Sequence, residues 1–214
     1  MRIHTAVALA LILLSAAQAR AQGSGIYIGG GLGAESPSSS TWHVPKLSQF
    51  GRFDLSQTNM LLVDLGYKFG DGIRVELEGQ YDQFSLKKLT IPSVASALAG
   101  HITSATIFLN ANYDFTIFQG WGGTIGAGLG SDWNNAKGNS SAGLAILSGS
   151  DRAFAWQVMA GVQHQIIPNV DLDIDYRYQG AGSTTVTQSG VGNFVLGGLR
   201  SQTVSASLRF YLLP

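Results

Sequence analysis

The chain has 214 residues, 13 basic and 13 acidic side chains, 28 glycines and no cysteine, and only 12% of it is charged. A balanced charge leaves no basis for a nucleic-acid surface, and the missing cysteine excludes a disulfide framework and a thiolate metal site. Beyond the N-terminus no apolar run reaches the ~18 residues of a membrane-spanning helix, so hydrophobicity must be placed in some other way.

Residues 1–21 read as a secretory signal peptide. Arg2 precedes an apolar run over 6–14, and Ala17-Gln18-Ala19 and Ala19-Arg20-Ala21 are small-x-small cleavage sites. The expected domain is then 22–214. Its first strand is 25–34, GIYIGGGLGA: Ile26, Ile28, Leu32 and Ala34 share a face, and Tyr27, Gly29, Gly31 and Gly33 share the other. A glycine-lined face suits close packing inside a narrow barrel. Gly29-x-Gly31-x-Gly33 is no dinucleotide loop, because no helix follows it.

A long Ser-rich segment, 35–58, carries Trp42 and His43. Next comes the clearest hairpin. Leu61, Val63, Leu65, Tyr67 and Phe69 alternate with Met60, Leu62, Asp64, Gly66 and Lys68. After Gly70-Asp71-Gly72, Ile73, Val75, Leu77, Gly79 and Tyr81 alternate with Arg74, Glu76, Glu78 and Gln80. Period two means strands, and the short glycine-rich link means an antiparallel pair. Segment 82–101 reads as a second long connection, with Pro92 and an Ala-rich patch expected to make a helical turn.

The fourth strand is 102–115, with Ala105, Ile107, Leu109, Ala111, Tyr113 and Phe115 on one face and Ser104, Thr106, Phe108, Asn110, Asn112 and Asp114 on the other. A short link leads to the fifth, 121–133. A third long segment, 134–151, precedes the sixth strand, 152–166. Pro168-Asn169 makes a tight turn into the seventh, 170–179, where Val170, Leu172, Ile174, Tyr176 and Tyr178 oppose Asp171, Asp173, Asp175, Arg177 and Gln179. A fourth long segment, 180–200, precedes the eighth strand, 201–212, which carries Arg209 on its polar face and Phe210 on its apolar face.

Connections therefore alternate long and short, with long ones on the side away from both termini. The expected fold is all-β: an eight-stranded antiparallel up-and-down transmembrane β-barrel, with periplasmic termini and extracellular long loops. Aromatics sort to match. Tyr67, Phe69, Tyr113, Phe115, Trp121 and Phe210 mark the short-turn end of the apolar face, and Tyr81, Trp133, Phe154, Trp156, Tyr176 and Tyr178 the long-loop end. Two such girdles suit the two membrane interfaces.

The stretches GIYIGGGLG, TIGAGLG and AFAWQVMAGVQHQIIPNVDLDIDYRY resemble the small outer-membrane β-barrel family of OmpA-like and opacity-type proteins, often labelled porin-family proteins. The closing SASLRFYL is similar to that family's last strand, which implies recognition by the barrel-insertion machinery. The family usually ends on an aromatic residue, whereas this chain runs on through Leu212-Leu213-Pro214.

Eight strands leave an interior just wide enough for side chains to fill. By parity it holds Asp64, Lys68, Arg74, Glu76, Glu78, Asp114, Asp171, Asp173, Asp175, Arg177 and Arg209. Charges at that depth should pair and plug the barrel, because an isolated buried ion is costly. The expected role is structural and surface-exposed: envelope integrity, with loops free for adhesion or host contact. The alternative is a small porin whose acid excess favours cations. A lipid-modifying enzyme is a more distant third, since His43, His101 and His164 show no partnered nucleophile in the sequence. Asp171-x-Asp173-x-Asp175 lacks the glycine and glutamate of a calcium loop and reads as a ladder on a strand. No cofactor is expected. The expected partners are outer-membrane lipid and lipopolysaccharide, the insertion machinery and a surface or host ligand at the loops. Apolar patches at 144–147 and 194–196 are expected to extend strands above the membrane or to form sticky surface.

Overall fold

The computed structural model describes residues 24–212 apart from 39, 45–48, 92–93, 119, 141–146 and 189–191, so the expected leader lies outside the described residues. The period-two alternation is realised as strand nearly everywhere. The elements are β1 (Gly25–Pro37), β2 (Ser40–Val44), β3 (Gln49–Leu55), β4 (Thr58–Lys68), β5 (Ile73–Ile91), β6 (Val94–Phe118), β7 (Trp121–Ser140), β8 (Leu147–Ile167), β9 (Val170–Ala181), β10 (Thr184–Gln188), β11 (Gly192–Leu196) and β12 (Arg200–Tyr211).

Eight of these close a ring. In order round the barrel they run β1, β4, β5, β6, β7, β8, β9, β12 and back to β1, every pair antiparallel. Closure leaves none of the eight with an unpaired edge along the shared ladder. The other four strands lie at the long-connection end. There β3 pairs with the far part of β5, β2 with β3, β11 with β2 and β10 with β11.

Expectations change at all four long segments; in the third, 134–151, β7 runs on to Ser140 and β8 opens at Leu147, with 141–146 outside the described residues. Segments 35–58 and 180–200 are not open loops: they contain the β2–β3 and β10–β11 hairpins. Segment 82–101 makes no helical turn. Instead β5 runs to Ile91 and β6 starts at Val94, with a register shift between Leu86 and Lys88. The alternation continues past Asp82 through Gln83, Phe84 and Ser85, and a paired strand satisfies every backbone donor and acceptor that a loop would leave to water. Of the two apolar patches, Phe194, Val195 and Leu196 lie in β11, and Leu147 opens β8. Residues 144–146 lie outside the described residues.

The short turns are set by local chemistry. Phe69 N–H donates to Ile73 O at 2.7 Å, the Asp71 side chain accepts from Ile73 N at 3.1 Å, and Gly72 takes φ +90°. In the Pro168-Asn169 turn, Asn169 adopts φ 69°, which asparagine tolerates better than most residues.

The distribution of side chains is the reverse of a water-soluble domain. Leu65, Leu109 and Leu129 are 53%, 61% and 62% exposed on the outside, whereas Glu78 and Arg177 are 1% and 3% exposed on the inside. An exterior of this kind calls for an apolar solvent.

Candidate functional site: the charged interior

The inward face of every barrel strand converges on one network. At the short-turn end, Asp114 accepts from Lys68 at 2.9 Å, from Arg74 at 3.4 Å and from Arg209 at 3.4 Å. Arg74 also pairs with Glu76 at 2.5 Å, and the Tyr27 hydroxyl donates to Glu76 at 2.6 Å. Arg209 pairs with Asp173 and lies 4.0 Å from Asp171. Asp171 accepts the Tyr211 hydroxyl at 3.2 Å. At mid-height Arg177 pairs with Glu78 at 2.6 Å and with Asp175 at 3.5 Å. Gln157 donates to Glu78 at 3.0 Å and to Asn110 at 2.8 Å, and Gln80 donates to Glu78 at 2.7 Å.

The strand order gives these contacts their meaning. Arg177 stands on β9 and Glu78 on β5, four places apart in a ring of eight, so the pair spans the full diameter. Arg209 on β12 and Asp114 on β6 span it again nearer the short-turn end. A cavity of about 10 Å³ beside Asp64, Arg74 and Arg177 leaves no more room than a single water molecule needs. Asp64 itself reaches over the Gly29 backbone, where a Cβ would collide with its carboxylate. Gly126 and Gly128 likewise leave room for the carboxamides of Asn112 and Asn110.

The interior also contains groups that the sequence reading did not single out. Glu35, Asp82 and Asp132 face inward and are 3–5% exposed. Parity already pointed to them, since they sit two residues beyond Gly33, Gln80 and Gly130, but the expected strands stopped short of Glu35 and ended at Asp82. With them, ten described acids face four bases in the interior. Met60, Leu62, Phe84 and Phe108 are also buried there, at 0–2% exposed, so the long-connection half is less ionic than expected.

Outside, the structure places Tyr67, Phe69, Tyr113, Phe115, Trp121 and Phe210 in one exposed tier and Tyr81, Trp133, Phe154 and Tyr176 in another, the latter joined by half-exposed Trp156 and Tyr178. Trp156 and Tyr178 meet edge to face at 5.7 Å, and Tyr67 and Phe69 at 4.8 Å. His164 stacks on Trp121 at 4.5 Å, and its Nδ1 lies 2.6 Å from Gly120 O. His101 faces outward, whereas Ser104 faces inward and donates to Asp132, so the two do not meet. His43 lies on β2. An outward crevice of about 570 Å³ lies near Tyr176, lined by polar groups that include Ser36, Gln57, Asn59, Gln83 and Gln202.

Comparison with known proteins decides the family. A model described as "Outer membrane protein beta-barrel domain" matches residues 6–210. The chain belongs to that family. This outer-membrane barrel is 28% identical over 180 residues to an "Outer membrane protein" of Gluconacetobacter diazotrophicus, a match covering 76% of this chain and 47% of the relative. The chain thus spans about half the length of that relative. Among solved structures it is similar to Neisserial surface protein A (TM-score 0.59, 21% identity, 88% of this chain and 99% of that one). It is also similar to OprG of Pseudomonas aeruginosa (TM-score 0.61, 13% identity, 88% and 96%). At those identities the likeness concerns the fold. For a barrel of the outer membrane, the apolar exterior faces lipid and the ionic network fills the lumen.

Proposed function

We propose that this barrel is a structural and surface-displaying component of the outer membrane, with a lumen closed by ion pairs and hairpins presented outside the cell. The observation that carries this reading is the pair of full-diameter bridges, Arg177–Glu78 and Arg209–Asp114. A lumen crossed twice by buried pairs serves rigidity, which leaves function to the exposed elements. The mature domain begins after the leader and has periplasmic termini, with the two aromatic tiers at the membrane interfaces. The hairpins β2–β3 and β10–β11 and the tall ends of β5–β8 then stand on the extracellular side, where envelope support, adhesion or host contact takes place. The outward polar crevice suits sugar and hydroxyl groups of lipopolysaccharide, and the closing strand suits the insertion machinery.

The excess of interior acids supports a second reading, a narrow pore favouring cations. Deleting the β2–β3 and β10–β11 hairpins separates the two. The expected result is a variant that still folds to the heat-modifiable barrel but no longer promotes attachment of expressing cells to host or abiotic surfaces. Undiminished attachment in the folded variant would overturn the display role.

A further inference from the structure

On the long-connection side of the Arg177–Glu78 bridge, the lumen holds acids without bases among the described side chains. Glu35 on β1, Asp82 on β5 and Asp132 on β7 border one cavity together with Gln179 on β9. The four interior bases among the described side chains are engaged elsewhere: Lys68, Arg74 and Arg209 around Asp114, and Arg177 on Glu78 and Asp175. Asp132 is satisfied by Ser104 at 2.7 Å, Thr106 at 3.1 Å and Asn134 at 2.6 Å. The others are not. Glu35 Oε2, Asp82 Oδ1 and Gln179 Oε1 are buried without any hydrogen-bond partner, in side chains only 3–7% exposed. Gln179 spends its amide N–H groups on Glu35 at 3.3 Å and Thr203 at 3.4 Å. Turning the amide over would aim its oxygen at the Glu35 carboxylate, so the orphaned carbonyl is held in place by its own neighbours.

All three orphans are acceptors, all belong to side chains that border the same cavity, and two are carboxyl oxygens. Buried acceptors of this kind call for a donor, and carboxylates call for a positive one. Among the described residues no three acidic or histidine side chains are grouped closely enough to ligate one metal ion. A cation that carries N–H bonds meets such acceptors without a metal's ligand set. The cavity holds about 30 Å³, room for about two water molecules. A primary ammonium head fits, with three N–H donors for three orphaned oxygens, and Phe84 and Phe108 offer an apolar wall to an alkyl stem. We propose that this vestibule of the lumen binds a primary ammonium group through Glu35, Asp82 and Gln179, with Asp132 adding negative potential. The site stands on the interior geometry and is independent of what the hairpins bind.

The test is a titration of the refolded, ¹⁵N-labelled full chain in micelles at neutral pH with methylammonium chloride. Tetramethylammonium chloride, which has no N–H bond, is the control at equal ionic strength. The expected result is a saturable shift of the Gln179 side-chain amide and the Gly180 backbone amide with methylammonium only. Asp82→Asn should raise the half-saturation concentration by about tenfold or more. Removing a charge from an acid cluster should not impair folding, but Glu35→Gln provides a second variant if Asp82→Asn does not refold. Asp71→Asn, in a short turn at the opposite end, should leave the titration unchanged. Putrescine and an Nα-acetyl-lysine amide then distinguish a free amine from a partner's lysine by their order of affinity, and either order upholds the site. No saturable shift, an equal response to tetramethylammonium, or unchanged affinity in Asp82→Asn and Glu35→Gln would overturn it.

Discussion

Arg177 reaches across the barrel to Glu78, and its value depends on the pair being complete. Two charges removed from water roughly offset their own desolvation when well paired, but one left alone does not. Arg177→Ala should therefore destabilise the folded barrel by about 3–5 kcal/mol, and Arg177→Met with Glu78→Gln should recover most of the loss. Urea unfolding in lipid vesicles, followed by the heat-modifiable band, measures both. A double variant as unstable as the single one would mean that Glu78 is not the group that suffers. Glycines set the complementary constraint. At Gly126 any Cβ would strike the Asn112 carboxamide and the Ala111 carbonyl, whereas at Gly79, on the outside, its nearest neighbour is Val63 at 3.5 Å. Gly126→Val should lose about 1–3 kcal/mol by overpacking, and Gly79→Ala should be close to neutral by the same assay.

Each strand shows lipid and lumen by turns, so the effect of a charge depends on which face and which height it occupies. Leu109 lies at mid-height on the outside, paired with Leu77 and Leu129. Leu109→Arg should cost about 2–4 kcal/mol, and Gln83→Arg, beyond the Tyr81 tier, about 0–1 kcal/mol. Equal losses would contradict the placement of the membrane between the tiers. At this scale much was legible in the sequence. The alternation of Asp171, Asp173, Asp175 and Arg177 with Leu172, Ile174 and Tyr176 needs no tertiary information to assign a face. Less was legible where contrast fades. Thr184-Thr185-Val186-Thr187-Gln188 has little apolar-polar alternation, so β10 read as loop, and Lys87-Lys88 with Pro92 hid the continuation of β5. Glu35 and Asp82 were overlooked because the strands were ended where hydrophobicity fell rather than where parity ran out, whereas Asp132 lay inside the expected fifth strand and its inward parity was not followed. The partners of each charge were not legible at all. Glu78 and Arg177 are 99 residues apart, and only closure of the ring makes β5 and β9 opposite.

For the whole molecule, closure of eight strands fixes both the exterior and the interior. The exterior is an apolar, lipid-facing surface. The interior holds an ionic network at the short-turn end, a bridge at mid-height and an acid vestibule beyond it. A barrel of this width has room for side chains or for a channel, not both. The central claim is that here the side chains win. Planar-bilayer recording on the refolded chain, with the folded band verified on the same sample, tests it most directly. A silent bilayer that stays silent in Asp64→Asn is the expected result. Steady cation-favouring steps whose size changes with Glu78→Gln or Asp64→Asn would show that the Arg177–Glu78 bridge does not close the lumen.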